Sequence, residues 1–125
     1  MLKTVWGGLL GALGLVGCGA QSGVQTVDVA ALRAAQQAQS GTYVLDVRTP
    51  GEYAAGHIEG AVLLPLQELP QRLSEVPAGQ PVYVVCRSGK RSAQASRLLA
   101  EAGQTPLNVV GGMNAWTAAG YPVVK

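Results

Sequence analysis

A chain of 125 residues that is 48% hydrophobic and 13% charged has apolar side chains enough for one small domain and is too apolar to stay disordered. Two cysteines exclude a disulfide-dense scaffold, and a net charge of +2 without basic runs leaves no electrostatic footprint for nucleic acid, which is not expected as a partner.

The amino terminus reads as a targeting segment. Met1-Leu2-Lys3 carries one positive charge and Val5 to Val16 carries none. A bilayer-spanning helix needs about 20 apolar residues. This run is shorter and broken by Gly7, Gly8, Gly11 and Gly14, which fits a secretory signal core instead. Leu15-Val16-Gly17-Cys18 resembles the lipobox of bacterial lipoproteins, a likeness that implies cleavage before Cys18 and acylation of its sulfur. Residues 1–17 would be a removed signal peptide, 18–25 a lipidated flexible tether and 26–125 the folded domain. The expected location is the bacterial cell envelope, extracytoplasmic and lipid-anchored to a membrane. Cys86 would then be the one free thiol, with no partner for an intramolecular disulfide.

Beyond the tether, Asp28 is placed to cap an alanine-rich helix over roughly Val29 to Gln39, ended by Gly41. Thr42 to Val47 reads as a buried strand. Thr49-Pro50-Gly51-Glu52 has capping-box spacing with proline at the first helical position, predicting a short helix that carries Tyr53 and stops at Gly56. Ala61 to Leu64 is a short apolar run, and Gln67 to Leu73 is amphipathic enough for one or two helical turns. Pro81 to Val85 is a β-prone run, and Ser92 to Ala102 a helix with Ala95, Leu98, Leu99 and Ala102 on one face. Leu107 to Val110 supplies a further strand, Gly111-Gly112 a turn and Met113 to Ala119 a last helix. Short apolar strands alternating with helices imply a single α/β domain, with a mainly parallel sheet flanked by helices on both faces. In such a fold, function gathers at the strands' carboxyl ends.

Cys86 stands at one such end, between the strand and Arg87-Ser88-Gly89-Lys90-Arg91. A thiol facing a Gly-containing cationic turn and a helix start meets backbone amides and positive charge, both of which favour the thiolate. It is the candidate nucleophile.

The chain resembles a single-domain rhodanese, the thiosulfate-type sulfurtransferase family. The likeness rests on Asp46-Val47-Arg48, Glu52-Tyr53, Gly56-His57-Ile58-Glu59-Gly60-Ala61, Cys86-Arg87-Ser88-Gly89-Lys90-Arg91 and Gly111-Gly112-Met113-Asn114-Ala115-Trp116, in that order across nearly the whole domain. It implies a parallel α/β sheet with the cysteine loop at its carboxyl edge. It also implies a Cys86 persulfide, charged by a small sulfur donor (thiosulfate or a persulfide) and discharged to a thiol or cyanide acceptor, or to a protein sulfur acceptor. No cofactor or metal is expected. Arg87, Ser88, Gly89, Lys90 and Arg91 would bind substrate as the loop, with Asp46 and Arg48 supporting it.

Two other readings stay open. Cysteine-dependent phosphatases, including rhodanese-like ones, separate cysteine from arginine by five residues. Here four lie between Cys86 and Arg91, and Ser92 stands where that arginine would fall, so the shorter ring suits one added sulfur better than a phosphoryl group. An arsenate-reducing relative belongs with that alternative, and a non-catalytic sulfur carrier or docking module is the other. His57, the one histidine, reads as a hydrogen-bonded structural residue. Asp46 is expected to orient backbone or a loop cation, and Arg48 to line the mouth of the site. Arg91 either contacts substrate or pairs with Asp46 or Glu52. Met113 and Trp116 are read as core.

Overall fold

A computed structural model describes residues 24–125. The expected signal peptide, Cys18 and most of the tether lie outside the described residues. Five strands form one sheet: β1 Gln25–Val27, β2 Tyr43–Asp46, β3 Val62–Leu63, β4 Pro81–Val85 and β5 Thr105–Val109. Their spatial order is β1-β5-β4-β2-β3, and every pair is parallel. All carboxyl ends therefore share one edge. The helices are α1 Val29–Ala38, α2 Pro50–Ala55, α3 Lys90–Glu101 and α4 Gly112–Ala118.

Strand residues alternate between two cores. Leu45, Val82 and Val84 point to one face and pack with Ala95 and Leu99 of α3 and with Leu69 and Val76. Val44, Val85 and Val109 point to the other and pack with Val29 and Leu32 of α1, Ile58, and Met113 and Trp116 of α4. Both faces are covered, so the central strands β2, β4 and β5 are mostly apolar, with Asp46 and Asn108 as buried polar exceptions. Asp28 Oδ1 accepts the Ala31 amide at 2.8 Å as the cap of α1. The capping box of α2 is complete: Thr49 Oγ1 accepts from the Glu52 amide at 3.2 Å, and Glu52 Oε1 accepts from the Thr49 amide at 3.1 Å.

The structure departs from the expected elements in three places. The helical turns expected over Gln67 to Leu73 are present, but in 3-10 rather than α geometry. Leu66–Gln71 and Leu73–Glu75 are two 3-10 segments, because Pro70 within the first lacks the amide that a continuous helix needs. The third helix starts at Lys90, two residues before the expected Ser92, so Lys90 and Arg91 belong to its first turn. Its inward face keeps Ala95 and Leu99 buried, while Ala102 is an exposed cap residue. Strand β1 was not anticipated, since three residues at a sheet edge are too few to show a period.

The chain leaves β2 toward β3 and leaves β4 toward β5, in opposite directions from adjacent strands. That divergence opens a crevice at the carboxyl edge between them. Asp46 lies beside Val85 in register, which sets the Asp46–Arg48 turn next to Cys86.

Candidate active site

Strand β4 ends at Cys86, which is 1% exposed. The loop after it folds back so that the Gly89 amide donates to the sulfur at 3.0 Å. Gly89 holds φ +109°, a conformation that side chains rarely adopt, and a Cβ there would sit 3.3 Å from the Gly111 nitrogen. Ala93 then donates to the Gly89 carbonyl at 3.1 Å and starts α3.

Ser92, fully buried in the first turn of α3, places Oγ 3.4 Å from the Cys86 sulfur. The same hydroxyl donates to Asn108 Oδ1 of β5 at 2.5 Å. Asn108 Nδ2 faces the Gly89 carbonyl at 3.4 Å. Burial, the largest single influence on the thiol, opposes its ionisation. Hydrogen bonds from the Ser92 side chain and from the Ser92, Gly89 and Ser88 amides together outweigh it, holding the Cys86 pKa below its ordinary value.

Charged side chains surround this centre. Arg91 donates two hydrogen bonds to Glu52, at 2.8 and 2.9 Å. That bidentate pair draws the Glu52 carboxyl down to about 2. Arg48 is committed as well: it donates to Asp46 at 2.8 to 3.1 Å through its backbone and guanidinium, and to the Gly56 carbonyl at 2.8 Å. Arg87 and Lys90 are exposed and make no side-chain ion pair among the described residues. A cavity of about 300 Å³ opens beside the loop, lined among others by Arg48, Glu52, Gly56, Arg87, Met113 and Asn114. The Met113 and Asn114 amides donate to the Cys86 and Arg87 carbonyls at 2.8 and 3.0 Å, which binds the loop to the start of α4.

The sheet edge thus gathers Cys86, the loop from Arg87 to Arg91, Asp46 and Arg48 in one place. Arg91 resolves to the Glu52 pair. Asp46 orients the backbone and guanidinium of Arg48 rather than a loop cation. Arg48 reaches the cavity, yet it is 6% exposed and its Nε and Nη2 are engaged with Asp46 and the Gly56 carbonyl. His57 stands apart: its Nδ1–H donates to the Tyr53 carbonyl at 2.8 Å, its ring stacks on Tyr53 at 3.6 Å, and its backbone pairs with Val124. Trp116 is 1% exposed and donates to the Pro122 carbonyl at 2.9 Å. Sequence reasoning missed Ser92 and Asn108. The available sign for Asn108 was a polar residue inside the otherwise apolar strand Leu107–Val110; the inner face of α3 carries two buried serines, Ser92 and Ser96, so it did not single out Ser92. Among the described residues no group of His, Cys, Asp and Glu is arranged to hold a metal ion.

Residues 28–119 match the family model described as Rhodanese-like domain. A sulfurtransferase of Allochromatium vinosum is 44% identical over 82 residues, spanning 65% of this chain and 77% of that protein. The thiosulfate sulfurtransferase PspE of Escherichia coli is 38% identical over 71 residues, 55% of this chain and 68% of its own length. Among solved structures, a rhodanese-related protein from Thermoplasma volcanium superimposes with a TM-score of 0.74 at 33% identity, covering 80% of this chain and 97% of that one. Some curated relatives are longer: this chain spans 52% of one from Bacillus subtilis.

Proposed function

The chain belongs to the rhodanese-like domain family, and we propose that it moves a sulfane sulfur from a thiosulfate-type donor to a thiophilic acceptor through a persulfide on Cys86. Relatives named as sulfurtransferases support the general transfer or carriage of sulfur. One observation carries the finer reading: the Cys86 sulfur lies buried against the Gly89 amide at 3.0 Å, inside a ring that favours its anion.

With thiosulfate as donor, the Cys86 thiolate attacks the outer sulfur and a new sulfur–sulfur bond forms. The bond inside thiosulfate breaks, and sulfite leaves with its electron pair. The outer sulfur of the resulting persulfide then carries the negative charge. A second nucleophile, thiolate or cyanide, bonds to that sulfur, and Cys86 departs as thiolate. This is covalent two-stage transfer, with no net oxidation in the cycle. Exposed Arg87 and Lys90 supply the positive potential that draws an anionic donor to the mouth.

The Glu52–Arg91 pair weighs against phosphoryl transfer. An arginine already holding a carboxylate through both hydrogen-bonding arms is not free to clamp a phosphate. The signal-like first 17 residues and Cys18 support a position on the extracytoplasmic side of a bacterial membrane, anchored by lipid. Metabolic labelling with a palmitate analogue, lost in Cys18→Ser, tests that placement.

The function is tested by intact-protein mass spectrometry after incubation with thiosulfate. One added sulfur, mapped to the Cys86 peptide, discharged by cyanide as thiocyanate and absent in Cys86→Ser, is the expected result. A folded protein that gains no sulfur from thiosulfate or from a low-molecular-weight persulfide overturns it.

A further inference from the structure

Asn108 is 5% exposed, sits on β5 and accepts from the Ser92 hydroxyl, whose oxygen also lies 3.4 Å from the Cys86 sulfur. Ser92 has a single proton and two neighbours that compete for it, the Cys86 sulfur at 3.4 Å and Asn108 Oδ1 at 2.5 Å. With the sulfur as a thiol, three bonds run in one direction: S–H to Ser92 Oγ, Ser92 O–H to Asn108 Oδ1, and Asn108 Nδ2–H to the Gly89 carbonyl at 3.4 Å. When the sulfur is an anion it attracts the Ser92 proton. Two bare oxygens would then face one another at 2.5 Å, which is repulsive. Turning the Asn108 amide end for end relieves this, because Nδ2–H then donates to Ser92 Oγ. The turn gives up only the long bond to Gly89, whose carbonyl still accepts the Ala93 amide at 3.1 Å.

We infer that Asn108 is a positioning residue for the sulfur chemistry: its side-chain amide sets whether the Ser92 hydroxyl turns away from the Cys86 sulfur or donates to it, and it reverses as that sulfur gains and loses charge. The inference rests on the sulfur-transfer reading for its purpose, since Cys86 Sγ is anionic before attack and neutral once the persulfide places charge on the outer sulfur. No proton is gained or lost by Ser92 or Asn108 in the reversal. Of the other charged groups near the site, Arg91, with Glu52 bound to it, interacts with the sulfur, the Asp46–Arg48 pair lies at the end of β2, and Arg87 and Lys90 of the loop are exposed. Asn108→Leu leaves all of them in place.

The test is the pH profile of Cys86 alkylation by iodoacetamide, in wild-type and variant protein, with circular dichroism as the check on folding. Asn108→Leu removes two bonds from the thiol arrangement, to Ser92 and to the Gly89 carbonyl, and one from the thiolate arrangement, so alkylation at pH 6 should quicken by about threefold while the plateau at pH 10 stays put. Asn108→Asp, which holds the Ser92 proton and adds negative charge, should slow alkylation at pH 6 by about tenfold or more. In a Ser92→Ala background, Asn108→Leu should change nothing. The wild-type protein gives a second readout: the ¹⁵N-labelled Asn108 side-chain amide resonances should shift with the same midpoint as alkylation, and in Cys86→Ser they should not. Equal effects of Leu and Asp, an Asn108→Leu effect that survives Ser92→Ala, or amide resonances indifferent to the Cys86 midpoint would each overturn the inference. Failure of wild-type protein to accept sulfur, with these alkylation effects intact, would overturn the function and leave the role of Asn108 standing.

Discussion

Glu52 holds the Arg91 guanidinium through both carboxylate oxygens, at 2.8 and 2.9 Å, joining two segments 39 residues apart. The same carboxylate closes the capping box of α2, so one side chain fixes the turn after β2 to the first turn of the cysteine helix.

A folded-state Glu52 pKa of about 2, below the ordinary 4.5, means that its stabilisation is fully present above about pH 4.5 and is lost as pH falls toward 2. The pair is partly solvated, with side chains 34% and 27% exposed, so about 1 kcal/mol is a fair scale after screening. Glu52→Gln should therefore lower stability by about that amount at pH 7 and by nothing near pH 2. Urea unfolding at several pH values checks this, and a difference that is the same at both ends refutes it.

Asp46 and Arg48 call for a different experiment, because their side chains are 1% and 7% exposed. Removing one partner leaves a buried charge without compensation. Asp46→Ala should cost about 3–5 kcal/mol, and the double change Asp46→Leu with Arg48→Met less than that single change. Chemical denaturation of the two variants decides the point.

Gly112 predicts a local effect at the site. It holds φ +51°, and a Cβ there would lie 2.3 Å from the Cys86 carbonyl oxygen and 2.8 Å from the Arg87 carbonyl. Gly112→Ala should destabilise by about 3 kcal/mol and slow persulfide formation, since the loop must give way. Gly51→Ala, in open space within α2, should be neutral or stabilising by up to about 1 kcal/mol. Melting temperatures and sulfur uptake of both variants form the comparison.

For the exposed cations the readout is kinetic. Arg87→Ala and Lys90→Ala should each raise KM for thiosulfate by about fivefold, leave kcat nearly unchanged and flatten the dependence on ionic strength. A matched fall in kcat would instead mean that the side chain stabilises the reacting sulfur.

Much of this was legible in the sequence because it is local. Thr49 and Glu52 are three residues apart and find each other in any helix start, and the alternation of apolar runs with helices decides the parallel sheet. Contacts across the sheet were harder. Glu52 appeared only as one of two possible partners for Arg91, because spacing says nothing of distance between elements. Asn108 and Ser92 looked like ordinary polar residues, and their relation exists only once β5 lies beside the strand that carries Cys86. The helical turns after β3 were legible but their 3-10 geometry was not, because an amphipathic pattern does not separate α from 3-10 geometry, whereas Pro65 and Pro70 do.

The depth of the Cys86 sulfur, 1% exposed at the floor of its ring, makes girth a criterion of reactivity. Reagents of increasing width should therefore alkylate it ever more slowly relative to a free thiol, small ones such as iodoacetamide least affected. A sulfur sheltered in this way would select its partners by width as well as by their affinity for thiolates.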